Sequence, residues 1–165
     1  MENTQLQEIV SKIETKFPNA SISEDNYQMT NIVIGKSEIY DMVSFLKSDL
    51  EFGFLTDLCG AHYPQNVGSE FQVVYHMHHM PKNIRLRLKV NLSLEDLTIP
   101  TMVPLFSAAN WMERETFDFY GIQFEGHPDL RRILNMDDMD YHPMRKEYAL
   151  EDETRDDKKD SFFGR

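Results

Sequence analysis

Among the 165 residues of this chain there is one cysteine, Cys59. A single thiol excludes an internal disulfide and any thiolate-held iron–sulfur cluster within the chain. It also fits a reducing compartment. Glycine is scarce, with seven residues that are never grouped, so no loop can cradle phosphate oxygens in a glycine-rich turn. Basic residues are outnumbered: 17 Lys and Arg face 28 Asp and Glu, for a formal net charge of −11. Nucleic acid is therefore excluded as the main partner, because phosphate binding needs a basic surface. No apolar run approaches the roughly 20 residues that a membrane-spanning helix requires. Residues 1–10 are polar and acidic and lack the basic and apolar regions of a signal peptide. The sequence thus points to a soluble, cytoplasmic protein that reaches a membrane only through partners. The serine-hydrolase elbow G-x-S-x-G and the zinc motif H-E-x-x-H are also missing. Cys59 sits in an apolar segment without an activating pattern, which reads as packing.

With 41% hydrophobic and 12% aromatic residues, the chain can build one ordinary core. Residues 1–150 read as a single domain. Residues 151–165 hold six acids and four bases and read as a charged, flexible tail, ending in the pair Phe162 and Phe163 that could anchor on a partner. Leu6, Ile9, Val10, Ile13 and Phe17 recur at helical spacing, so residues 4–17 form an amphipathic helix stopped by Pro18. Residues 27–34 read as a strand ended by Gly35. Ser37 is placed to cap a second helix with the stripe Ile39, Met42, Val43, Leu46 and Leu50. Residues 52–63 favour a strand with a kink near Gly60.

A hairpin follows. Pairing His79 with Ile84 across the turn 80–83 puts Met77 opposite Leu86, Tyr75 opposite Leu88 and Val73 opposite Val90, one apolar face for the core. The other face pairs His78 with Arg85 and His76 with Arg87. Residues 101–119 read as helix in two pieces with a break near Ser107, and Gly121 is placed to stop the second.

Two clusters could carry chemistry. His76 and His78 share a strand face at metal-ligand spacing. The arginines opposite each would repel a cation, so a basic docking face is the stronger reading. In the second helix piece, Ala108, Trp111, Met112 and Phe119 define one face, with Glu115 in its middle and Glu113 and Phe117 on the far side. A carboxylate there needs a partner, and Arg131, Arg132 and Arg145 are the candidates. Arg114 can reach Asp118 one turn on. A structural ion-pair network outweighs a proton relay as the role of Glu115.

Residues 108–134, AANWMERETFDFYGIQFEGHPDLRRIL, resemble the signature of the 30-kDa-type subunit of NADH-quinone oxidoreductase, respiratory complex I. The order A-A-N-W, E-R-E, D-x-x-G-I, G-H-P-D, L-R-R-I-L is long and specific. FQVVYHM…IRLRLKVNL resembles the family's paired strands, and HPMRKE at 142–147 its second His-Pro block. Tyr141 stands where the family usually has glycine, and residues 135–140 are unusually acidic. The resemblance implies an α+β fold, a two-layer domain with amphipathic helices packed on a mixed β-sheet and an extended C-terminal tail. It implies a place in the peripheral arm of a proton-translocating complex, on the cytoplasmic face of the membrane, against the large quinone-site subunit. No cofactor is expected on this chain, since FMN, iron–sulfur clusters and quinone belong to other subunits. It also implies that Trp111, Glu113, Arg114, Glu115, Asp118, His127, Asp129, Arg131, Arg132, His142 and Arg145 form a structural or interface signature rather than a catalytic set. A scaffold subunit of a related membrane-bound hydrogenase complex is the alternative. A stand-alone metal-dependent enzyme, built on His76, His78 or Glu115, is the reading from a different class.

Overall fold

The computed structural model describes residues 2–27 and 29–148. The tail beyond, with Phe162 and Phe163, lies outside the described residues. Helix α1 (Glu2–Lys16) and helix α2 (Ile39–Ser48) flank the first two strands, β1 (Ser21–Glu24) and β2 (Thr30–Val33). Three strands follow: β3 (Phe54–His62), β4 (Phe71–His79) and β5 (Ile84–Leu92). They form one mixed sheet in the order β1-β2-β5-β4-β3, with the single parallel contact between β2 and β5. After it come β6 (Thr98–Pro100), helix α3 (Ala109–Tyr120) and β7 (Gln123–Glu125), with β6 and β7 paired in parallel.

The expected α+β class is found, and the α2 stripe Ile39, Met42, Val43, Leu46 and Leu50 is buried throughout. The hairpin has the expected register, with Val73 opposite Val90, Tyr75 opposite Leu88, Met77 opposite Leu86 and His78 opposite Arg85. All the apolar members of these pairs are buried. The turn is a single 3₁₀ turn, Met80–Lys82, closed by Asn83 in the left-handed region at φ 51°. Asparagine tolerates that conformation better than most residues. His79 belongs to the turn as much as to the strand: its Nδ1 accepts the Lys82 backbone N–H at 3.1 Å.

Elsewhere the boundaries differ for local reasons. The strand expected at 27–34 is shorter, and an unexpected β1 precedes it. Between them Asp25 accepts the backbone N–H groups of Tyr27 and Met29 through Oδ1, a side-chain-stabilised turn. Helix α2 is entered through Glu38 and not through a Ser37 cap. Glu38 is already helical, with its N–H bound to the Gly35 carbonyl. The irregularity in β3 lies between Leu55 and Asp57, and Gly60 continues the ladder opposite Val73. Residues 101–108 are turns instead of a first helical piece.

Candidate functional site

Helix α3 carries the signature, and its orientation corrects the expectation. Ala109, Glu113, Thr116 and Tyr120 follow i, i+4, i+3, i+4 spacing and form the inward stripe, with Arg114 and Asp118 beside it. Glu115 is exposed, and so is Trp111 at 61%. Of the apolar side chains that suggested Glu115 for the core, Ala108 and Trp111 are exposed, while Met112 and Phe119 are half-buried. The inward face is polar because its partners are polar.

Glu113, fully buried, binds the loop after β6. Its Oε2 accepts the Thr101 hydroxyl at 2.5 Å and its Oε1 the Met102 backbone N–H at 2.6 Å. Burial pushes its carboxyl up to about 7, and those two donors only partly offset the effect. The nearby Tyr75 hydroxyl is buried without a hydrogen-bond partner among the described residues.

Asp118 is the hub of the second cluster. Its Oδ2 accepts the backbone N–H groups of Ile133, Leu134 and Asn135 at 3.1, 2.8 and 2.9 Å. Its Oδ1 accepts from Arg132 at 2.7 Å and from the Asn135 amide at 3.0 Å. Burial alone would raise this carboxyl; the N–H groups and Arg132 outweigh it and hold the group well below the usual carboxylate range. Arg114 does not pair with Asp118. Its guanidinium donates to the carbonyls of Arg131 and Arg132 and lies 5.6 Å from the centre of the Trp111 ring.

A helix leaves its last four carbonyls without internal partners. Here all four are met. The Phe117 carbonyl accepts the Gly121 N–H at 2.8 Å, with Gly121 left-handed at φ 77°. The Asp118 carbonyl accepts from Arg132 and from His142 Nδ1, at 3.1 and 3.0 Å. The Phe119 carbonyl accepts the Met144 N–H at 3.2 Å, and the Tyr120 carbonyl accepts Arg145 Nε at 2.8 Å. Two arginines at a helix C-terminus also complement its dipole. Residues 127–146 are therefore a strap, wound around the end of α3 by residues of the signature.

The strap has further anchors at both ends. At its start, His127 bridges the Asn110 carbonyl (3.2 Å) and the Asp129 N–H (3.0 Å), and Asp129 pairs with the exposed Arg131 at 2.9 Å. At its end, the Lys146 N–H donates to His62 Nδ1 at 2.9 Å. His62 stacks on Phe71 at 4.3 Å, and Arg145 lies 5.1 Å from the same ring. Burial lowers the His62 pKa, which keeps Nδ1 free to accept. Of the three arginines expected to neutralise Glu115, Arg132 serves Asp118, Arg145 serves the helix terminus and Arg131 faces solvent. Sequence reasoning missed the roles of Thr101 and Met102, because Glu113 meets them through a loop that no periodicity encodes. It missed the Asp118 hub because most of its donors are backbone groups.

The other candidate sites are occupied by protein. Arg87 Nε donates to His76 Nε2 at 2.8 Å, and the opposite ring nitrogen lies 3.5 Å from Asp57. His78 contacts the Asn83 side chain at 3.1 Å. Among the described residues no three His, Cys, Asp or Glu side chains converge as metal ligands. Cys59 is exposed on the edge strand and not packed as its apolar segment suggested. Desolvation by its neighbours and then Asp57 beside it push its thiol up to about 11, so it is not an activated nucleophile.

The profile of the respiratory-chain NADH dehydrogenase 30-kDa subunit matches residues 32–154. The chain belongs to that family. It is 35% identical over 148 residues to the C subunit of NADH-quinone oxidoreductase from Geobacter sulfurreducens, covering 89% of this chain and 91% of that protein. Identity to the corresponding protein of Caulobacter vibrioides is 45% over 121 residues, 72% of this chain but 60% of that longer protein. Among solved structures, the trypsin-resistant fragment (1-134) of Nqo5 superposes with a TM-score of 0.69 at 28% identity, over 76% of this chain and 99% of the fragment. A chain of the membrane-bound sulfane sulfur reductase, an archaeal respiratory membrane complex, shares the fold with a TM-score of 0.75 at 24% identity, over 87% of this chain and 85% of that one. No helix among the described residues of this 30-kDa-family chain is long and apolar enough to cross a membrane.

Proposed function

We propose that the chain is a cofactor-free peripheral-arm subunit of a proton-translocating NADH-quinone oxidoreductase. It scaffolds the quinone-site region on the cytoplasmic face of the membrane and assembles with the large quinone-site subunit. The observation that carries this reading is the outer surface of α3 and its strap. Trp111, Leu134 and Met136 are 61%, 65% and 68% exposed, and Tyr141, Met144 and Tyr148 are exposed near them in sequence. Large apolar side chains held out from a rigid, polar-pinned segment mark a protein interface. The pinning itself serves assembly, because a pre-ordered surface loses little entropy on docking.

The test is purification of the intact complex from native membranes through a tag on this chain. The other subunits of an NADH-quinone oxidoreductase should co-purify. Trp111→Ala with Met136→Ala should lower their recovery at least about tenfold, the range of a hot-spot loss. Recovery of the chain alone would refute the reading. Fold likeness to the sulfane sulfur reductase chain supports a second reading, a scaffold in a related membrane-bound complex of the hydrogenase type. The same preparation separates the two: an NADH-oxidising flavin protein is present in the first case and absent in the second.

A further inference from the structure

Among the described residues, the sheet has one helix-covered face and one face that no helix covers. Alternate residues of β4 and β5 from Phe71 to Leu92 are buried, and Thr116 and Tyr120 of α3 close over Gly60 on that same side. On the reverse side β5 presents Arg85, Arg87 and Lys89 at two-residue intervals, about 7 Å apart along the strand. They are flanked by His76 and His78 on β4.

Arg87 is fixed in this row. It donates to His76, to Asn31 at 3.3 Å and to Asp25 at 2.9 Å. Arg85 and Lys89, on either side of it, form no ion pair among the described residues. Phe54, half exposed, lies across the sheet from Arg85 beside His78. In a chain of net charge −11, Arg85 and Lys89 stand out on this face as cations without an ion pair among the described residues, while Asp25 offsets Arg87 and Asp57 lies 3.5 Å from His76. At nine residues of about 3.4 Å, three strands spaced about 4.8 Å apart offer roughly 440 Å², about half of one side of a standard interface.

We propose that this bare sheet face is a second docking surface, one that receives a carboxylate-bearing face of another subunit, so that the chain bridges two neighbours. The inference rests on the reading of the chain as part of a complex but uses a surface distinct from the α3 strap. Charge complementarity selects the partner, because the face supplies two uncommitted cations around a fixed one and adjoining Phe54 supplies apolar contact. Such a surface contributes orientation and register to assembly, while the apolar strap contributes most of the affinity.

The test uses the tagged chain in the native complex. A carbodiimide, which joins an amine directly to a neighbouring carboxylate, should link Lys89 to an Asp or Glu of another subunit. Arg85→Glu with Lys89→Glu should remove that link and lower recovery of the linked protein at least about tenfold at low salt. Lys12→Glu, an exposed charge on α1, should change neither readout. Four results would overturn the proposal. They are no Lys89 link to another subunit, variant recovery equal to wild type, a link to a second copy of this chain, and loss of the variant's binding to anionic vesicles in place of a partner protein. If the unmodified chain brings down no complex, the underlying reading fails as well. If it does, and the charge variants behave as wild type, only the bridging inference fails.

Discussion

At the scale of single residues, two buried carboxylates on α3 have opposite titrations. Glu113 has only neutral donors, a hydroxyl and an N–H, so burial dominates and its carboxyl rises to about 7. The folded chain then holds a proton that the unfolded chain releases near 4.5. The contribution of Glu113 is present in full below pH 4.5 and is lost as pH rises through 7, a swing of roughly 3 kcal/mol. Asp118 is held low, so its stabilisation is present above the ordinary aspartate value of 3.8 and is lost as pH falls below it. Buried His62 and half-buried His76 and His142 are also lowered and oppose Glu113 near neutrality, so the test must be a difference. Glu113→Gln keeps the Met102 N–H bond through its amide oxygen, and its NH₂ donates to the Thr101 oxygen once that hydroxyl rotates. Denaturant unfolding of the full chain should show the variant gaining on wild type as pH rises from about 5 to about 8. A constant gap across that range would refute the assignment. Glu115→Ala, on the exposed side, should shift stability by no more than about 0.5 kcal/mol.

At the scale of elements, legibility followed the polarity of the partner surface. Helix α2 packs apolar on apolar, so its stripe could be read directly, and the β4–β5 register followed from strict alternation across a short turn. Helix α3 could not be phased that way. Its inward face carries Glu113, which meets a loop, Thr116, which meets β3 at Gly60, and Asp118, which meets the strap, while Trp111 points outward. Hydrophobic periodicity reports the core only where the core is apolar. The packing of α3 on β3 also reverses a usual preference. Glycine within a strand normally weakens it, and alanine should help. At Gly60 an added Cβ would come within 2.6 Å of the Tyr120 ring and 3.1 Å of Thr116. Gly60→Ala must push α3 off the sheet and should cost about 1–3 kcal/mol, the range for overpacking. A thermal scan showing equal or higher stability would mean that α3 is free to shift.

At the scale of the whole molecule, the strap turns a short helix end into a long-range fastening, and proteolysis can read it. The peptide bonds after exposed Arg131 and half-buried Arg132 follow basic residues, where trypsin would cut an open chain. Their carbonyls are both held by Arg114, and the N–H of Ile133, just past the second bond, is held by Asp118. Cleavage requires a protease to draw about ten residues into an extended conformation, so these bonds must be released first. With Asp118 ionised and buried, opening the strap breaks an Asp118–Arg132 pair together with three backbone hydrogen bonds. Removing one partner of such a pair costs about 3–5 kcal/mol. When opening is fast relative to cleavage, the cutting rate follows the open population. Asp118→Asn should therefore raise cleavage after Arg131 and Arg132 by about a hundredfold or more under native conditions. Arg114→Ala should do the same to a smaller degree, since it frees the carbonyls but leaves the Asp118 hub in place. Mass spectrometry of timed trypsin digests of the full chain would show it, with the urea-unfolded chain as the reference rate. Wild-type cleavage at 131–132 as fast as in the unfolded chain would mean that the strap is not fastened and that the signature residues hold something other than the end of α3.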